Sequence, residues 1–122
     1  MPKHDLTVFI VDDDASVRDA LALLFSVRGY RTAIFSGAAD FLKAWQADWT
    51  GCLLIDIRMP GMDGLSLQER LIEMGCILPV VVITGHGDVD SARRAFKSNA
   101  IDFLEKPIDH DKMLESIEQA FN

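Results

Sequence analysis

Five polar residues stand where apolar, strand-like segments of the sequence end. They are Asp12, Asp13, Asp56, Thr84 and Lys106. Together they offer a carboxylate nucleophile, further acids for a cation, a hydroxyl donor and an ammonium group. Attack of a carboxylate on phosphorus needs such a set, because the charge on the phosphoryl oxygens must be neutralised. The sequence therefore predicts a site for phosphoryl transfer to Asp56, whose carboxylate needs no base because it is ionised at neutral pH.

Three of these residues, Asp12, Asp13 and Asp56, are acids that are expected to converge in one crevice. Their charges would repel one another and raise some pKa values unless a cation joined them. The expected ligands are all oxygen atoms, with no His or Cys at the site, so the ion should be hard. Mg²⁺ fits because it accepts one or two carboxylates and keeps several waters, and Mn²⁺ could substitute for it.

Strand-like and helix-like segments alternate along the chain. The strand-like segments span residues 7–11, 31–35, 52–55, 80–84 and 101–104. Four of the five are nearly continuous apolar runs, which are typical of parallel strands covered on both faces. The segments between them carry an apolar stripe at helical spacing. This pattern predicts an α/β fold of five βα units in an open, doubly wound parallel sheet, since a barrel would need eight units.

In such sheets, ligands bind beyond the carboxyl ends of the strands, where the strand order reverses. If the order is 2-1-3-4-5, the reversal lies between strands one and three, and Asp12 and Asp13 face Asp56 there. Thr84 and Lys106 would flank them. Each residue alone has an ordinary explanation as a helix cap, a strand residue or a solvated loop residue. Their coincidence at the ends of four strands is what indicates a functional site.

Composition limits the classes of protein to consider. The 122 residues are 49% hydrophobic, which suits a single domain over residues 1–122. The formal net charge of -7 argues against contact between this domain and nucleic acid. No apolar stretch is as long as a membrane span, and residues 1–5 lack the apolar region of a signal peptide. We therefore expect a cytoplasmic protein without membrane contact, in which Cys52 and Cys76 are free packing residues.

The order and spacing of these residues resemble the receiver domain of bacterial two-component response regulators, over residues 7–121. The resemblance implies a flavodoxin-like sheet with strand order 2-1-3-4-5. It also implies that Asp56 is the phosphoacceptor, followed by the turn typical of the family at residues 59–64.

The resemblance implies a particular set of metal ligands. Asp13 would bind Mg²⁺ directly, and Asp12 would hold a metal-bound water. Asp56 and the backbone carbonyl of Arg58 would complete the ligands that the protein contributes.

The resemblance also implies a conformational switch. Thr84 would be its hydroxyl residue and Phe103 its aromatic residue, here without the hydroxyl of the frequent Tyr. Lys106 matches the lysine of the family and precedes Pro107, with a cis peptide bond expected between them. Residues 84–88 resemble the subgroup attached to LuxR-type helix-turn-helix transcription regulators, although no such effector domain is present in this chain.

The implied function is phosphorylation of Asp56 by a sensor histidine kinase. The change would spread from Thr84 and Phe103 to the surface of helix four, strand five and helix five, with phosphorylation-dependent homodimerisation as one outcome. Control of transcription would pass through a DNA-binding domain outside this chain. The domain would catalyse only its own phosphorylation and slow dephosphorylation, so it is not expected to be an enzyme with a separate substrate.

Four alternatives remain at this point. A stand-alone phosphorelay receiver would need no effector domain. An aspartyl-phosphate phosphatase would carry a second acid two residues after its nucleophile, where this chain has Arg58. A nucleotide or flavin module would need a glycine-rich loop after strand one, where residues 12–14 are acidic. A degenerate receiver would lack one of the expected site residues, and none is missing.

Overall fold

The computed structural model describes residues 6–121, in which five strands and five helices alternate. The strands are β1 (Thr7–Val11), β2 (Arg31–Phe35), β3 (Gly51–Asp56), β4 (Val80–Thr84) and β5 (Ala100–Glu105). The helices are α1 (Ala15–Val27), α2 (Ala38–Ala44), α3 (Gly64–Glu73), α4 (Val89–Lys97) and α5 (His110–Phe121). The predicted α/β alternation is confirmed. Within residues 6–121, no helix has the length and hydropathy needed to cross a membrane.

All five strands are parallel and form one sheet in the order β2-β1-β3-β4-β5. The predicted order 2-1-3-4-5 is therefore confirmed. Strand β1 pairs with β2 on one side and with β3 on the other, so the chain reverses its direction of winding between β1 and β3. The crevice at this reversal is where doubly wound sheets bind their ligands.

The sheet has a separate apolar cluster on each face, and β3 contributes to both of them. Leu53 and Ile55 pack in one cluster, whereas Cys52 and Leu54 pack in the other. This arrangement explains the continuous apolar runs, because successive side chains enter opposite cores. Strands β2 and β5 lie at the edges of the sheet, and several of their residues are partly or fully exposed.

Both cysteines are free, as predicted. Cys52 is fully buried, and burial raises the pKa of its thiol to about 12, so it acts as a small packing residue. Two tryptophans follow the second helix, and both pack against the apolar cluster on their face of the sheet. Trp49 stacks on the ring of Phe9 with 4.7 Å between the ring centroids.

Candidate functional site

Three carboxylates meet beyond the carboxyl ends of β1 and β3. Asp12 follows β1 directly, and Asp56 is the last residue of β3. The two strands are paired, with Val11 beside Ile55, so the two acids are brought to the same place. One oxygen from each of Asp12, Asp13 and Asp56 lies within 4.8 Å of the others. The predicted convergence of these acids is confirmed.

The acidic residues in the loop after β1 have different structural roles. Asp14 caps α1, because its carboxylate accepts a hydrogen bond from the backbone N–H of Ser16 at 2.9 Å. Asp12 is fully buried, and its Oδ1 accepts from the N–H of Asp14 at 2.9 Å. Its backbone carbonyl accepts from Nη1 of Arg18 at 2.7 Å. Because Asp14 caps the helix, the carboxylates of Asp12 and Asp13 are not needed for capping and are available to bind a cation.

Lys106, in the loop after β5, places an ammonium group beside the two buried acids. Its Nζ lies 3.4 Å from Oδ2 of Asp12 and 3.6 Å from Oδ1 of Asp56. Its backbone N–H donates to the carbonyl of Thr84 at 2.7 Å, which ties this loop to the end of β4. The peptide bond between Lys106 and Pro107 is cis, as the resemblance implied. A fixed positive charge therefore faces the candidate nucleophile.

The surroundings of Asp56 disfavour its charged form. Burial raises the pKa of this carboxyl group from 3.8 to about 6, and the negative charge of Asp12 adds to the rise. The ammonium of Lys106 and the backbone N–H of Arg58 oppose it. Repulsion among the acids is the predicted cause of a raised pKa. The structure gives desolvation as the larger cause, since the residue is only 4% exposed.

The acidic cluster has the chemistry of a site for a hard divalent cation. Within residues 6–121, Asp12, Asp13 and Asp56 form the one group of three or more His, Cys, Asp or Glu side chains with suitable spacing. All three offer carboxylate oxygens, and Asp13 is exposed, so water can complete an octahedral shell around Mg²⁺. The backbone of Arg58 donates its N–H to Asp56. The role of its carbonyl as a metal ligand stays a prediction.

Thr84 and Phe103 lie on neighbouring strands and on the same face of the sheet. Val82 pairs with Phe103 and Thr84 with Glu105, so Thr84 and Phe103 are diagonal neighbours. Thr84 is buried, and its Oγ1 accepts a hydrogen bond from the N–H of His86 at 3.2 Å. Phe103 is partly buried and borders a cavity of about 280 Å³. The two residues are thus close enough for their positions to be coupled.

The turn after β3 packs closely against the end of that strand. A Cβ atom on Gly64 would lie 2.3 Å from the backbone oxygen of Asp56 and 2.7 Å from Cγ2 of Ile55. The N–H of Gly64 donates to the carbonyl of Ile57 at 2.8 Å. Glycine is therefore required here by close approach, and the turn at residues 59–64 serves packing as well as chemistry.

Two residues that support this arrangement were not predicted. Arg18 holds the carbonyl of Asp12, and Gln68 ties α3 to α4 through two hydrogen bonds. The separation between Arg18 and Asp12 follows no simple period, so no pattern in the sequence indicated this contact. Gln68 did carry a signal, because it lies in the buried stripe of α3 with Leu67 and Leu71. A polar residue in such a stripe needs buried partners.

Comparison with known proteins identifies the family. The family model described as the response regulator receiver domain matches residues 8–118 of this chain. The chain belongs to this family. The matched span of this receiver domain contains all of the candidate site residues, from the acids after β1 to Lys106.

Curated relatives are regulatory proteins that are longer than this receiver domain. The transcriptional regulatory protein FixJ of Bradyrhizobium diazoefficiens is 41% identical over 113 residues, which are 93% of this chain and 55% of FixJ. The response regulator protein TmoT of Ectopseudomonas mendocina is 41% identical over 120 residues, which are 98% of this chain and 54% of TmoT. The receiver domain described here thus spans about half the length of these two relatives.

Solved structures agree with the fold. The crystal structure of FixJ-N superposes with a TM-score of 0.88 at 40% identity, covering 95% of this chain and 93% of that one. The structure of the response regulator StyR gives a TM-score of 0.89 at 45% identity, covering 93% of this chain and 58% of that one. The predicted flavodoxin-like receiver fold is confirmed.

Proposed function

We propose that this receiver domain accepts a phosphoryl group on Asp56 from a phosphohistidine of a sensor histidine kinase, in a Mg²⁺-dependent reaction. The observation that carries the proposal is the position of Lys106, whose Nζ lies within 3.6 Å of Asp56 and 3.4 Å of Asp12. An ammonium group shared by a buried nucleophile and a neighbouring acid is suited to the charge of a transferred phosphoryl group.

In the proposed reaction, a carboxylate oxygen of Asp56 forms a bond to phosphorus. The bond between phosphorus and the imidazole nitrogen of the kinase breaks, and the imidazole keeps the electron pair. Because the pKa of Asp56 is about 6, the ionised nucleophile predominates at neutral pH. Lys106 neutralises charge on the phosphoryl oxygens. Mg²⁺ held by Asp12, Asp13 and Asp56 would supply further neutralisation and fix the orientation of the group.

Thr84 would transmit the modification. Its Oγ1 already accepts from the N–H of His86, so its own O–H can donate to a phosphoryl oxygen. Movement of Thr84 toward that oxygen would open space beside Phe103, its diagonal neighbour. A change in the position of the Phe103 ring would alter the outer surface of α4, β5 and α5.

The altered surface is the proposed place of homodimerisation. It contains exposed apolar residues on α4 and β5, with Val89 72%, Phe96 49% and Ile101 39% exposed. Two copies that pair through this surface would bury these side chains. We therefore expect a monomer without a phosphoryl group and a dimer with beryllofluoride, as measured by sedimentation velocity. A monomer in both conditions would remove dimerisation from the proposal.

Control of transcription is the proposed output, since FixJ is a transcriptional regulatory protein about twice as long as the matched segment. The kinase and the receiver would meet in the cytoplasm. A stand-alone phosphorelay receiver is the competing output. The coding sequence beyond Asn122 decides between them, because a helix-turn-helix domain would support transcriptional control and a stop codon would support the relay.

The receiver domain would catalyse its own modification rather than turn over a separate substrate. Aspartyl-phosphate phosphatases place an acid two residues after the nucleophile, where this chain has the exposed residue Arg58. No acid therefore stands there to protonate a leaving group. We expect slow loss of phosphate from Asp56 and no multiple turnover of a phosphomonoester.

The test is incubation of the protein with Mg²⁺ and acetyl phosphate, followed by intact mass measurement. We expect the mass of one phosphoryl group to be added, to be removed by hydroxylamine, and to be absent from Asp56→Asn. Circular dichroism of Asp56→Asn would confirm that the variant is folded. An unmodified wild-type protein, or the same adduct on Asp56→Asn, would exclude Asp56 as the phosphoacceptor.

A further inference from the structure

Helix α4 is weakly anchored by apolar contacts. Among Val89–Lys97, Ala95 is the buried residue, whereas the large side chains of Val89 and Phe96 are largely exposed. Helices in folded proteins are stabilised mainly by packing of an apolar face. The position of α4 must therefore depend on other attachments.

Three side chains on α3 provide polar attachments to α4, and the longest contact is that of Ser66, whose Oγ accepts from Nη2 of Arg94 at 3.4 Å in a solvent-exposed contact. Glu69 forms a two-point ion pair with Arg94, with contacts of 2.6 and 2.8 Å, but both side chains are exposed. Gln68 is 1% exposed, and its Nε2 donates to the carbonyls of Ala95 and Ser98, each at 2.9 Å. Both carbonyls belong to the end of α4: Ser98 is the residue that ends the helix, and Ala95 lies in its last turn, where its carbonyl also accepts from the N–H of Ser98 at 3.1 Å. The buried attachment is thus the one made by Gln68.

The hydrogen bonds of Gln68 fix the orientation of its amide group. Rotating the amide by half a turn would place Oε1 against the two carbonyl oxygens, which cannot donate. In the orientation observed, Oε1 is buried without a hydrogen-bond partner, the one such side-chain atom in the described part of the chain. An unpaired buried acceptor offsets part of what the two hydrogen bonds contribute. The attachment is therefore specific in geometry and limited in strength.

We propose that Gln68 is a positioning residue for the output surface: it holds the end of α4 in the unphosphorylated arrangement and releases it on phosphorylation. This inference rests on the proposed function. The other end of α4 begins five residues after Thr84, and Asp88 caps it by accepting from the N–H of Ser91 at 2.7 Å. Movement of Thr84 would therefore act on the start of the helix while Gln68 restrains its end.

Replacement of Gln68 by a side chain of similar size separates positioning from stability. Gln68→Leu removes both donors and the unpaired acceptor together, and it takes one hydrogen-bond partner from the carbonyls of Ala95 and Ser98, so we expect the cost in stability to fall on the end of α4. Gln68→Met serves the same purpose if Leu packs poorly. The matched control is Glu69→Gln, which weakens the exposed attachment on the same pair of helices.

The first readout is amide hydrogen exchange of the unphosphorylated protein, without Mg²⁺ or phosphodonor. We expect amides of α4 to exchange at least about fivefold faster in Gln68→Leu, while those of β1 and β3 stay unchanged. Glu69→Gln should alter α4 by less than about twofold. Unchanged exchange in α4, or an equal acceleration throughout the protein, would overturn the role of Gln68.

The second readout is the affinity of the protein for beryllofluoride in the presence of Mg²⁺. If Gln68 restrains only the unphosphorylated arrangement, its loss should tighten binding by about fivefold, because coupling between the two events is reciprocal. Equal or weaker binding by Gln68→Leu, with faster exchange in α4, would show that Gln68 holds α4 in both states. That result would contradict the proposed release of α4 on phosphorylation. Absence of binding by the wild-type protein would instead contradict the proposed function, and the exchange experiment would still decide whether Gln68 anchors α4.

Discussion

Lys106 and Asp56 form an ion pair at the mouth of the crevice, with Nζ of Lys106 3.6 Å from Oδ1 of Asp56. The side chain of Asp56 is 5% exposed and that of Lys106 is 26% exposed, so solvent screens this pair only in part. The pair links two properties of the proposed phosphoacceptor, its state of ionisation and the charge that would be available to an incoming phosphoryl group.

Loss of the ammonium group should therefore affect both properties. In Lys106→Met, we expect the pKa of Asp56 to rise above its value of about 6, because Lys106 lowers it. A rise of about one unit is expected from removal of a nearby opposite charge. NMR titration of the Asp56 carboxyl would measure it, and the rate of modification by acetyl phosphate should fall at least about tenfold. Lys106→Arg is the control that keeps the charge, and an unchanged rate in Lys106→Met would remove Lys106 from the reaction.

The raised pKa of Asp56 makes the stability of the fold depend on pH. The folded pKa of about 6 exceeds the ordinary value of 3.8, so the folded state holds the proton more tightly than the unfolded state. The contribution to stability is complete below pH 3.8 and is lost as the pH rises through 6. Asp56→Asn should thus stabilise the protein by about 1–3 kcal/mol at pH 7.5 and have little effect at pH 3.5.

Urea unfolding of the wild type and Asp56→Asn without Mg²⁺, at several pH values, would measure this difference. Asp48→Asn is a suitable control, because Asp48 is exposed and precedes β3, whereas Asp56 is the residue that ends this strand. A gain in stability that does not vary with pH would contradict the assigned cause.

Binding of Mg²⁺ should stabilise the folded receiver domain in proportion to its occupancy. At a Mg²⁺ concentration of about 100 times the dissociation constant, the gain is about 2.7 kcal/mol, which corresponds to several degrees in Tm. Asp13→Asn should lose most of this gain, since exposed Asp13 contributes an oxygen to the cluster. Asp14→Asn should keep it, because Asn also caps helices. Thermal unfolding with and without Mg²⁺ would compare the three proteins, and equal shifts in all of them would place the ion elsewhere.

Thr84 should be required for the conformational response and not for the modification itself. Thr84→Val keeps the branched shape of the buried side chain and removes the hydroxyl that would bind a phosphoryl oxygen and that accepts from the N–H of His86. We expect Thr84→Val to form the adduct on Asp56, within about tenfold of the wild-type rate, and to lose the chemical-shift changes around Phe103. Thr84→Ser should retain them. Normal changes at Phe103 in Thr84→Val would show that the signal bypasses this hydroxyl.

Much of the fold could be predicted because the central strands are buried on both faces. The run ending at Ile55 is apolar throughout, which both marks it as a strand and indicates cover on each side of the sheet. The ends were less well defined. Strands β3 and β5 include Gly51 and Glu105, which join the sheet through pairing with distant segments rather than through their own preferences.

The candidate site was predictable as a set of residues, since parallel strands bring their carboxyl ends to one edge. Its energetics depended on enclosure, which no local pattern gives: desolvation dominates the pKa of Asp56 only because neighbouring elements cover it. The shift of register near Val80 in the pairing of β4 with β5 could not be predicted from the sequence either, because it arises from the pairing of two separate strands. The position of Gln68 in an apolar stripe indicated a buried polar contact, but it did not indicate which groups Gln68 would contact.

The order of strands in the sheet also divides the receiver domain into parts with different freedom to change. The acids lie at the ends of β1 and β3, which have neighbours on both sides, whereas Phe103 lies on the edge strand β5. Substitutions on the outer side of β5 and α4 can therefore create or remove a partner without disturbing the reacting groups. The same architecture would allow the proposed phosphorylation chemistry to be joined to different outputs, and it makes the α4 and β5 surface the place to re-engineer specificity while the centre of the sheet is left intact.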